Sequence, residues 1–340
     1  MANQFIILSV IIIITMINFM MWSGALHSNK SFLLPQLTYA PSKTPLQNTT
    51  DVLQSMQEIR QKLDAEMEIL KNLKIGKDTE PDSFKEHFQV GTQKCFNAKF
   101  GFFQKMRLFS ITQVPLRRRT LARIFKPNQY YLLYGSLAPE VFCPEKIRVG
   151  TVGDGGKWVC NPWKVPRDSV MFSLGLNNYI GFEEEWQQMT NNSNVLYGFD
   201  AAEQNPDTKN TYSNIRGTFR QATIAVASDP SKHKYTIEDL ARTSNISDIE
   251  ILKIDIEGAE LTCLIPFLTK YQVCQIYLEL HGGAPEHVAL LNRIAHLGYR
   301  LFSYEINGYS MSACEYSFIH DKCIDKYGGM PIANYLDFKV

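Results

Sequence analysis

The chain has 340 residues, of which 45% are hydrophobic, and a formal net charge of +1. This length suits one large domain or two modest ones, and the apolar content is ordinary for a globular protein with a real core. A net charge near zero produces no global field that would attract nucleic acid, so nucleic acid is excluded as an expected partner.

Residues 5–22 contain no charged side chain. As a helix they would rise about 27 Å, close to the thickness of the hydrocarbon layer of a membrane. The pattern predicts a signal-anchor transmembrane segment within residues 1–25; the alternative is a signal peptide cut after Ala25. The rest of the chain would then face the lumen of the endoplasmic reticulum or Golgi, or would be secreted if the segment is cut.

Glycosylation triplets and cysteines agree with a secretory location. Asn-X-Ser/Thr triplets begin at Asn29, Asn48, Asn191 and Asn245, and such triplets accept glycans in that pathway. Seven cysteines follow the apolar segment, and none forms a Cys-X-X-Cys pair that would indicate zinc.

The cysteine spacings suggest which residues form disulfides in an oxidising compartment. We predict the pairs Cys143–Cys160 and Cys314–Cys323. Cys263 and Cys274 lie in apolar surroundings, which is typical of plain core residues. The odd total leaves at least one thiol free or bonded to another chain.

Residues 26–94 are interpreted as a stem, whose first part is rich in Ser, Thr, Pro and Asn. Within it, apolar residues at three- and four-residue steps predict an amphipathic helix at 51–74. This helix either packs on its own domain or forms a short coiled coil that joins two copies of the chain, and both interpretations stay open. Residues 95–340 form the predicted compact domain.

From residue 170 onward, predicted strands and helices alternate. The strands are expected at 170–174, 194–199, 219–227, 249–254 and 274–280, the helices at 183–189, 235–242, 261–270 and 286–297, and a closing hairpin at 299–304 and 315–320. Such alternation indicates an α/β fold with a doubly wound, mostly parallel sheet. The glycine-rich segment 150–156 favours a hairpin turn at Asp154-Gly155, a backbone that contacts a ligand, or both.

Four predicted strands end at residues that could bind a ligand or take part in a reaction: Gly175, Asp200, Asp255 and His281. In a doubly wound sheet these ends converge on one crevice, where ligands bind. Each residue alone is a weak signal, because an acid after a strand is often a helix cap and a lone histidine is often structural. Together they predict a binding cleft.

The cleft residues favour one type of ligand. Asp200, at the end of the second strand, suits two ribose hydroxyls, although it could instead cap the segment at Ala201. The loop at 173–181 is not Gly-X-Gly-X-X-Gly, so NAD is disfavoured. S-adenosylmethionine has no phosphate, and its sulfonium would be attracted by Asp255 and Glu257.

The stretch Leu-Lys-Ile-Asp-Ile-Glu-Gly-Ala-Glu at 252–260 resembles the signature of FkbM-type S-adenosylmethionine-dependent methyltransferases, and 235–240 is similar to the helix that precedes it in that family. The segments 154–160, 172–175 and 198–200 are similar to an animal branch with an N-terminal membrane segment. The resemblance, over roughly 140–320, implies a class I methyltransferase (Rossmann-like) fold with S-adenosylmethionine as cofactor. It implies that Gly175 lies beside the methionine moiety, that Asp200 holds the ribose and that Asp255 flanks the methyl-transfer site.

Ser173 and Asn177 occupy the positions where such enzymes commonly carry an acid and a Gly-X-Gly loop. We therefore count Ser173, Asn177 and Asp154 with Gly175 and Asp200 as candidate cofactor-binding residues.

The candidate catalytic residues are Asp255, Glu257 and His281. Transfer to oxygen needs a base, for which we predict His281 at a near-neutral pKa, with Asp255 orienting the acceptor or the base. Glu257 could instead bond locally to the helix start at Gly258. No metal is required, and the acceptor, a small molecule, glycan or lipid, is not identified by the sequence.

The prediction is an S-adenosylmethionine-dependent O-methyltransferase anchored in a secretory-pathway membrane. Two alternatives stay open. One is a Golgi-type glycosyltransferase, in which the acids at 255 and 257 would hold Mn²⁺ and a nucleotide sugar. The other is a binding module that keeps the methyltransferase fold without catalysis.

Overall fold

The structure, a computed structural model, describes residues 86–339. The predicted membrane segment and the helix at 51–74, with its proposed dimer contact, lie outside these residues. Within 86–339, no helix is long and apolar enough to cross a membrane. The predicted boundary between the stem and the compact domain, at residue 95, falls inside the first described helix, Glu86–Leu121. The boundary stays a prediction.

The secondary structure alternates as the sequence predicts. The strands are β1 (Val141–Phe142), β2 (Lys146–Val149), β3 (Lys157–Cys160), β4 (Val170–Leu174), β5 (Val195–Asp200), β6 (Gly217–Gln221), β7 (Thr223–Ile224), β8 (Lys234–Tyr235), β9 (Ile251–Ile254), β10 (Gln275–His281), β11 (Tyr299–Ile306), β12 (Ala313–His320) and β13 (Met330–Pro331). The α-helices are α1 (Glu86–Leu121), α2 (Tyr130–Ser136), α3 (Gly181–Met189), α4 (Pro206–Asn214), α5 (Ile237–Thr243), α6 (Glu260–Leu268) and α7 (Ala284–His296).

Seven strands form the central sheet, in the order β11-β12-β10-β9-β4-β5-β6. The five strands from β6 to β10 in this order are parallel, and β12 is antiparallel to both of its neighbours. The predicted doubly wound, mostly parallel sheet is therefore confirmed, as is the closing hairpin of β11 and β12. The strand order reverses at β4, which lies between β5 and β9, so the ligand-binding crevice of such a sheet is expected at the carboxyl ends of β4 and β9.

Both faces of the sheet are buried, which explains the continuous apolar character of its central strands. Leu252 and Ile254 of β9 pack in one core cluster, whereas Ile251 packs in a second cluster with Phe182 and Trp186 of α3. Alternate residues of a strand face opposite sides, so Lys253 shares the face of Ile251. A lysine therefore points into a packed layer beneath α3.

The predicted strand at 219–227 is wrong in its extent. The chain leaves the central sheet after Gln221: the Thr223 amide donates to the carbonyl of His233, 2.7 Å away, and β7 pairs with β8 instead. The hairpin at Asp154-Gly155 is confirmed, because β2 and β3 are antiparallel and enclose the glycine-rich segment.

The structure confirms one of the two predicted disulfides. Cys143 is bonded to Cys160, but Cys323 is bonded to Cys274, which sequence reasoning had treated as a core residue. Cys314 is a buried free thiol, and so is Cys263, as expected. The pairing of Cys314 with Cys323 fails because Cys314 lies near the start of β12 and Cys323 follows its end, and the strand from 314 to 320 spans roughly 20 Å at the rise of an extended strand.

Removing the Cys274–Cys323 disulfide with a Cys274→Ser/Cys323→Ser variant should lower the free energy of unfolding by about 4 kcal/mol, because the bond closes a loop with a sequence separation of 49. The Cys143→Ser/Cys160→Ser variant removes a bond with a sequence separation of 17 and should lower the free energy of unfolding by about 3 kcal/mol. Urea unfolding measures both. A loss under about 1 kcal/mol for the longer loop would contradict the assignment of this bond.

Candidate active site

The carboxyl ends of β4 and β9 are joined beyond the last residues of the strands. The Gly175 amide donates to the carbonyl of Phe199 over 2.8 Å, and the Asp255 amide donates to the carbonyl of Leu174 over 3.0 Å. The first bond joins β4 to β5 and the second joins β9 to β4, so the ladder continues at the switch point and Asp255 lies beside the end of β4.

Position 175 accepts only glycine. Its φ is +84°, in the left-handed region that side chains rarely adopt, and a Cβ atom there would lie 1.7 Å from the carbonyl oxygen of Asp255. The bare backbone therefore lets the two strand ends approach and leaves a shallow cradle above them.

Two cavities open at this point. The larger has a volume of about 710 Å³ and extends towards the β2–β3 and β11–β12 loops; the smaller has a volume of about 390 Å³ and is bounded by Asp200. Gly175, Asn177, Asp255 and Glu257 line both. His281 lines the larger one, so the predicted convergence of the four strand-end residues on adjoining cavities is present in the fold.

The Asp200 carboxylate ties two loops together. One oxygen accepts the Asn177 amide and the other accepts the Ala202 amide, each over 2.7 Å. The helix that follows, α4, is capped by Asn205 instead. Each carboxylate oxygen can accept a further hydrogen bond, so the group can hold the loops and still bind a pair of hydroxyls.

Three further candidates for cofactor binding lie in different places. Asn177 reaches the cavities from a left-handed turn, with φ of +46°. Asp154 lines the larger cavity, where it accepts from Asn307 Nδ2 over 3.2 Å, and it does not line the cavity of Asp200. Ser173 lines neither cavity; its side chain is fully buried, so a direct contact with a ligand is wrong for this residue.

Ser173 belongs instead to a buried polar network under the cradle. Its hydroxyl donates to the carboxylate of Glu183, a fully buried residue of α3. Lys253 Nζ lies 3.6 Å from the same carboxylate oxygen and donates to the Gly175 carbonyl over 2.7 Å. The acid beneath the cradle is thus Glu183 of α3, which sequence reasoning missed; a lysine within a buried strand was its signal.

A second buried charge cluster lies below the larger cavity. Lys157 forms an ion pair with Glu315, and its Nζ is 3.9 Å from Glu279 Oε2. Glu279 and Glu315 face each other across β10 and β12. Burial, reinforced by the charges of Glu315 and Asp255, raises the pKa of Glu279 to about 8. A carboxyl group that is largely protonated at neutral pH therefore lines the cavity.

His281 is a cation rather than a neutral base. Its Nδ1 lies 3.7 Å from Glu260 Oε1, and its Nε2 lies 3.7 Å from Glu279 Oε1 and 3.6 Å from Glu257 Oε2. Interaction with Glu260, opposed by desolvation and supported by Glu279 and Glu257, raises the pKa of His281 to about 9. The predicted role of His281 as a base with a near-neutral pKa is wrong, because the surrounding acids hold its proton.

The loop after β9 is organised by Glu260, which sequence reasoning did not single out. Its fully buried carboxylate accepts the Ile256 amide over 2.6 Å and the Gly258 amide over 2.7 Å. The local bond to Gly258 that was considered for Glu257 is thus made by Glu260. Glu257 has a side chain that is 84% exposed and a φ of +56°, and it projects into the cavities.

One mixed group of side chains could also hold a metal ion. Asp255, Glu279 and His281 each offer a ligand atom, and these atoms lie within 4.8 Å of one another. Carboxylate and imidazole donors are compatible with a divalent cation.

Comparison with protein families gives the assignment. The profile of the methyltransferase FkbM domain matches residues 122–301, more than half of the chain. The chain belongs to the FkbM methyltransferase family. The resemblance of the motif at 252–260 is confirmed, and S-adenosylmethionine is the cofactor of this family; the glycosyltransferase alternative is not supported. A comparison with curated proteins found no match.

Two solved structures share limited similarity with this FkbM-family chain. TrmK of M. capricolum, solved with its cofactor product S-adenosylhomocysteine, is 11% identical with a TM-score of 0.32; the alignment covers 47% of this chain and 66% of TrmK, just under two thirds. The fibrillarin pre-rRNA processing protein of Methanococcus jannaschii is 9% identical with a TM-score of 0.33, covering 53% of this chain and 84% of the other.

The residues of the crevice fit the family's cofactor. The Gly175 cradle leaves room that a Cβ would fill, and the Asp200 carboxylate has acceptor capacity left for ribose hydroxyls. Ala222 and Ile224 give the smaller cavity an apolar wall suited to a purine. The acidic side chains of Asp255 and Glu257 line the shared opening and would attract a sulfonium.

Proposed function

We propose that this methyltransferase transfers the methyl group to an oxygen of its acceptor in the lumen of the secretory pathway. The observation that carries the proposal is the buried Glu279 carboxyl in the larger cavity, with its pKa raised to about 8. A hydroxyl must lose its proton when it is methylated, and a base is most effective when its pKa is near the working pH.

In the proposed reaction, bound S-adenosylmethionine supplies a methyl group on a positively charged sulfur. The ionised form of Glu279 takes the proton of the acceptor hydroxyl, and the cationic His281, 3.7 Å from its Oε1, stabilises that carboxylate. Asp255 orients the hydroxyl, Asp200 holds the ribose, and Gly175 and Asn177 present backbone to the cofactor. The acceptor oxygen would gain the methyl group as the bond from sulfur to that methyl breaks, the leaving group would be the neutral thioether, and the carboxylate would keep the proton.

The proposed compartment is supported by two disulfides, which persist in oxidising surroundings. Asn191 and Asn245, which begin glycosylation triplets, are exposed. We propose attachment through residues 5–22. Expressed in a secretory cell, the protein should lose apparent mass on treatment with an N-glycosidase, and an Asn191→Gln/Asn245→Gln variant should lose less; no shift for the wild type would contradict lumenal exposure.

Asp200→Ala should abolish cofactor binding without unfolding the protein, because it removes the acceptor of two ribose hydroxyls. Calorimetry with S-adenosylhomocysteine should show a loss of affinity of at least about 100-fold, as expected for two charged hydrogen bonds. Asp207→Ala, which removes an exposed acid in the first turn of α4, is the matched control and should bind like the wild type. Unchanged affinity in Asp200→Ala would reject the assigned ribose site.

Methyl transfer to oxygen is tested by incubating the protein with methyl-labelled S-adenosylmethionine and the lumenal fraction of a secretory cell, which supplies the acceptor. The label should appear on oxygen after product hydrolysis, and Glu279→Gln should reduce the rate about 10²-fold or more if Glu279 is the base. Label on nitrogen would contradict the proposal.

The discrimination between S-adenosylmethionine and S-adenosylhomocysteine should depend on pH. As pH rises from 7 to 10, Glu279 loses its proton near 8 and His281 loses its proton near 9, so both steps make the cavity more negative. The sulfonium ligand should therefore gain about 3- to 10-fold over its neutral product. Calorimetry at several pH values measures the ratio of the two dissociation constants, with Glu279→Gln as the control in which the step near 8 should disappear.

A further inference from the structure

We propose that Lys253 binds the carboxylate of the methionine moiety of the cofactor. This inference rests on the S-adenosylmethionine site proposed above. Asp200 is assigned to the ribose and the acids at 255 and 257 to the sulfonium, so the carboxylate still lacks a binding residue. A carboxylate that leaves water needs a cation or several N–H donors.

Lys253 is a buried cation at the right place in the fold. It is 5% exposed and nevertheless lines the larger cavity together with Gly175. Its Nζ donates to the Gly175 carbonyl over 2.7 Å, while Glu183 Oε1 is 3.6 Å away. An ammonium group has three N–H donors, so hydrogen-bonding capacity remains for a ligand placed on the cradle.

The other charged groups of the cavities point to the same residue. Among the described residues that line them, the only other lysine or arginine is Lys157. Lys157 is paired with two carboxyl groups, those of Glu315 and Glu279, whereas Lys253 has one, that of Glu183, at 3.6 Å. Asp255 and Glu257 repel a carboxylate while they attract a sulfonium. Lys253 is therefore the cation along these cavities that can attract the ligand's negative end.

Glu183 explains how the lysine is stable without ligand. An unpaired buried ammonium would be costly, and the fully buried Glu183 compensates for its charge. One oxygen of Glu183, Oε2, has no hydrogen-bond partner within the described part of the chain. The 3.6 Å between Lys253 Nζ and Glu183 Oε1 is longer than a hydrogen bond, so Lys253 can still donate to a second carboxylate.

The test compares two ligands on the full chain by calorimetry: S-adenosylhomocysteine and its decarboxylated form, which keeps the adenosine, the sulfur and the amine. The wild type should bind the decarboxylated form about 10- to 100-fold more weakly, the range for hydrogen bonds to a charged group. The variant Lys253→Met/Glu183→Gln removes both charges, so no buried charge of the pair is left alone. It should bind S-adenosylhomocysteine as weakly as the decarboxylated ligand and bind the latter like the wild type.

The single variant Glu183→Gln keeps Lys253 and is the matched control; it should retain the preference for the carboxylate. Equal affinity of the wild type for the two ligands would overturn the inference, whether or not the double variant folds. Equal losses for both ligands in a folded double variant would also overturn it. If the wild type binds neither ligand, the cofactor site itself fails, which separates that result from a misassigned Lys253.

Discussion

The Gly175→Ala variant should lose S-adenosylmethionine binding and at least about 3 kcal/mol of the free energy of unfolding. The added Cβ would lie 1.7 Å from the carbonyl oxygen of Asp255, and φ of +84° is itself unfavourable for alanine. A collision with backbone cannot be relieved by a side-chain rotation, so β4 and β9 must separate at their carboxyl ends. Separation would open the cradle and misplace Asp255. Calorimetry and urea unfolding measure the two losses.

Gly258→Ala is the control that separates backbone strain from collision. Gly258 also has a left-handed φ, +101°, but an added Cβ there would meet nothing within 4 Å. The Gly258→Ala variant should therefore lower the free energy of unfolding only by the conformational penalty, about 1–2 kcal/mol. If Gly175→Ala were no more destabilising than Gly258→Ala, the close approach of the two strand ends would be contradicted.

The second large effect is expected for Lys157→Met, which should lower the free energy of unfolding by about 3–5 kcal/mol. Lys157 is 1% exposed and compensates for Glu315 and Glu279, which face each other on neighbouring strands. Without the lysine, two buried carboxyl groups would lose their cation. Because they can then escape repulsion only by taking up protons, the loss should be larger at pH 9 than at pH 6.

Lys157→Met/Glu315→Gln is the matched control, since it removes the lysine together with its closest acid. Replacing both members of a buried pair is far less costly than breaking it, so the double variant should recover at least half of the lost stability. Urea unfolding at pH 7 compares the three proteins. A double variant as unstable as the single one would show that Lys157 acts through packing rather than charge.

The strand ends were predictable because their signals are local. Apolar runs such as 251–254 mark buried strands, and topology alone brings the residues that follow them to one crevice. Gly175, Asp200, Asp255 and His281 therefore meet as the sequence predicts. The identity of the ligand was accessible through the motif at 252–260, which the family match supports.

The charge state of the site was not predictable, because it depends on residues far apart in the sequence. Interaction with Glu260 raises the pKa of His281, and burial together with the charges of Glu315 and Asp255 raises the pKa of Glu279. No spacing rule connects these positions. The same limit explains the wrong disulfide: the distance along the chain from Cys314 to Cys323 is short, but β12 separates them, whereas the sheet brings Cys274 to Cys323.

A crystal structure of the protein with S-adenosylhomocysteine tests the central claim most directly. The ribose hydroxyls should bond to the Asp200 carboxylate, the homocysteine chain should cross the Gly175 cradle, and the sulfur should face the larger cavity near Asp255. A ligand bound away from the carboxyl ends of β4 and β9, or with its ribose remote from Asp200, would contradict the account.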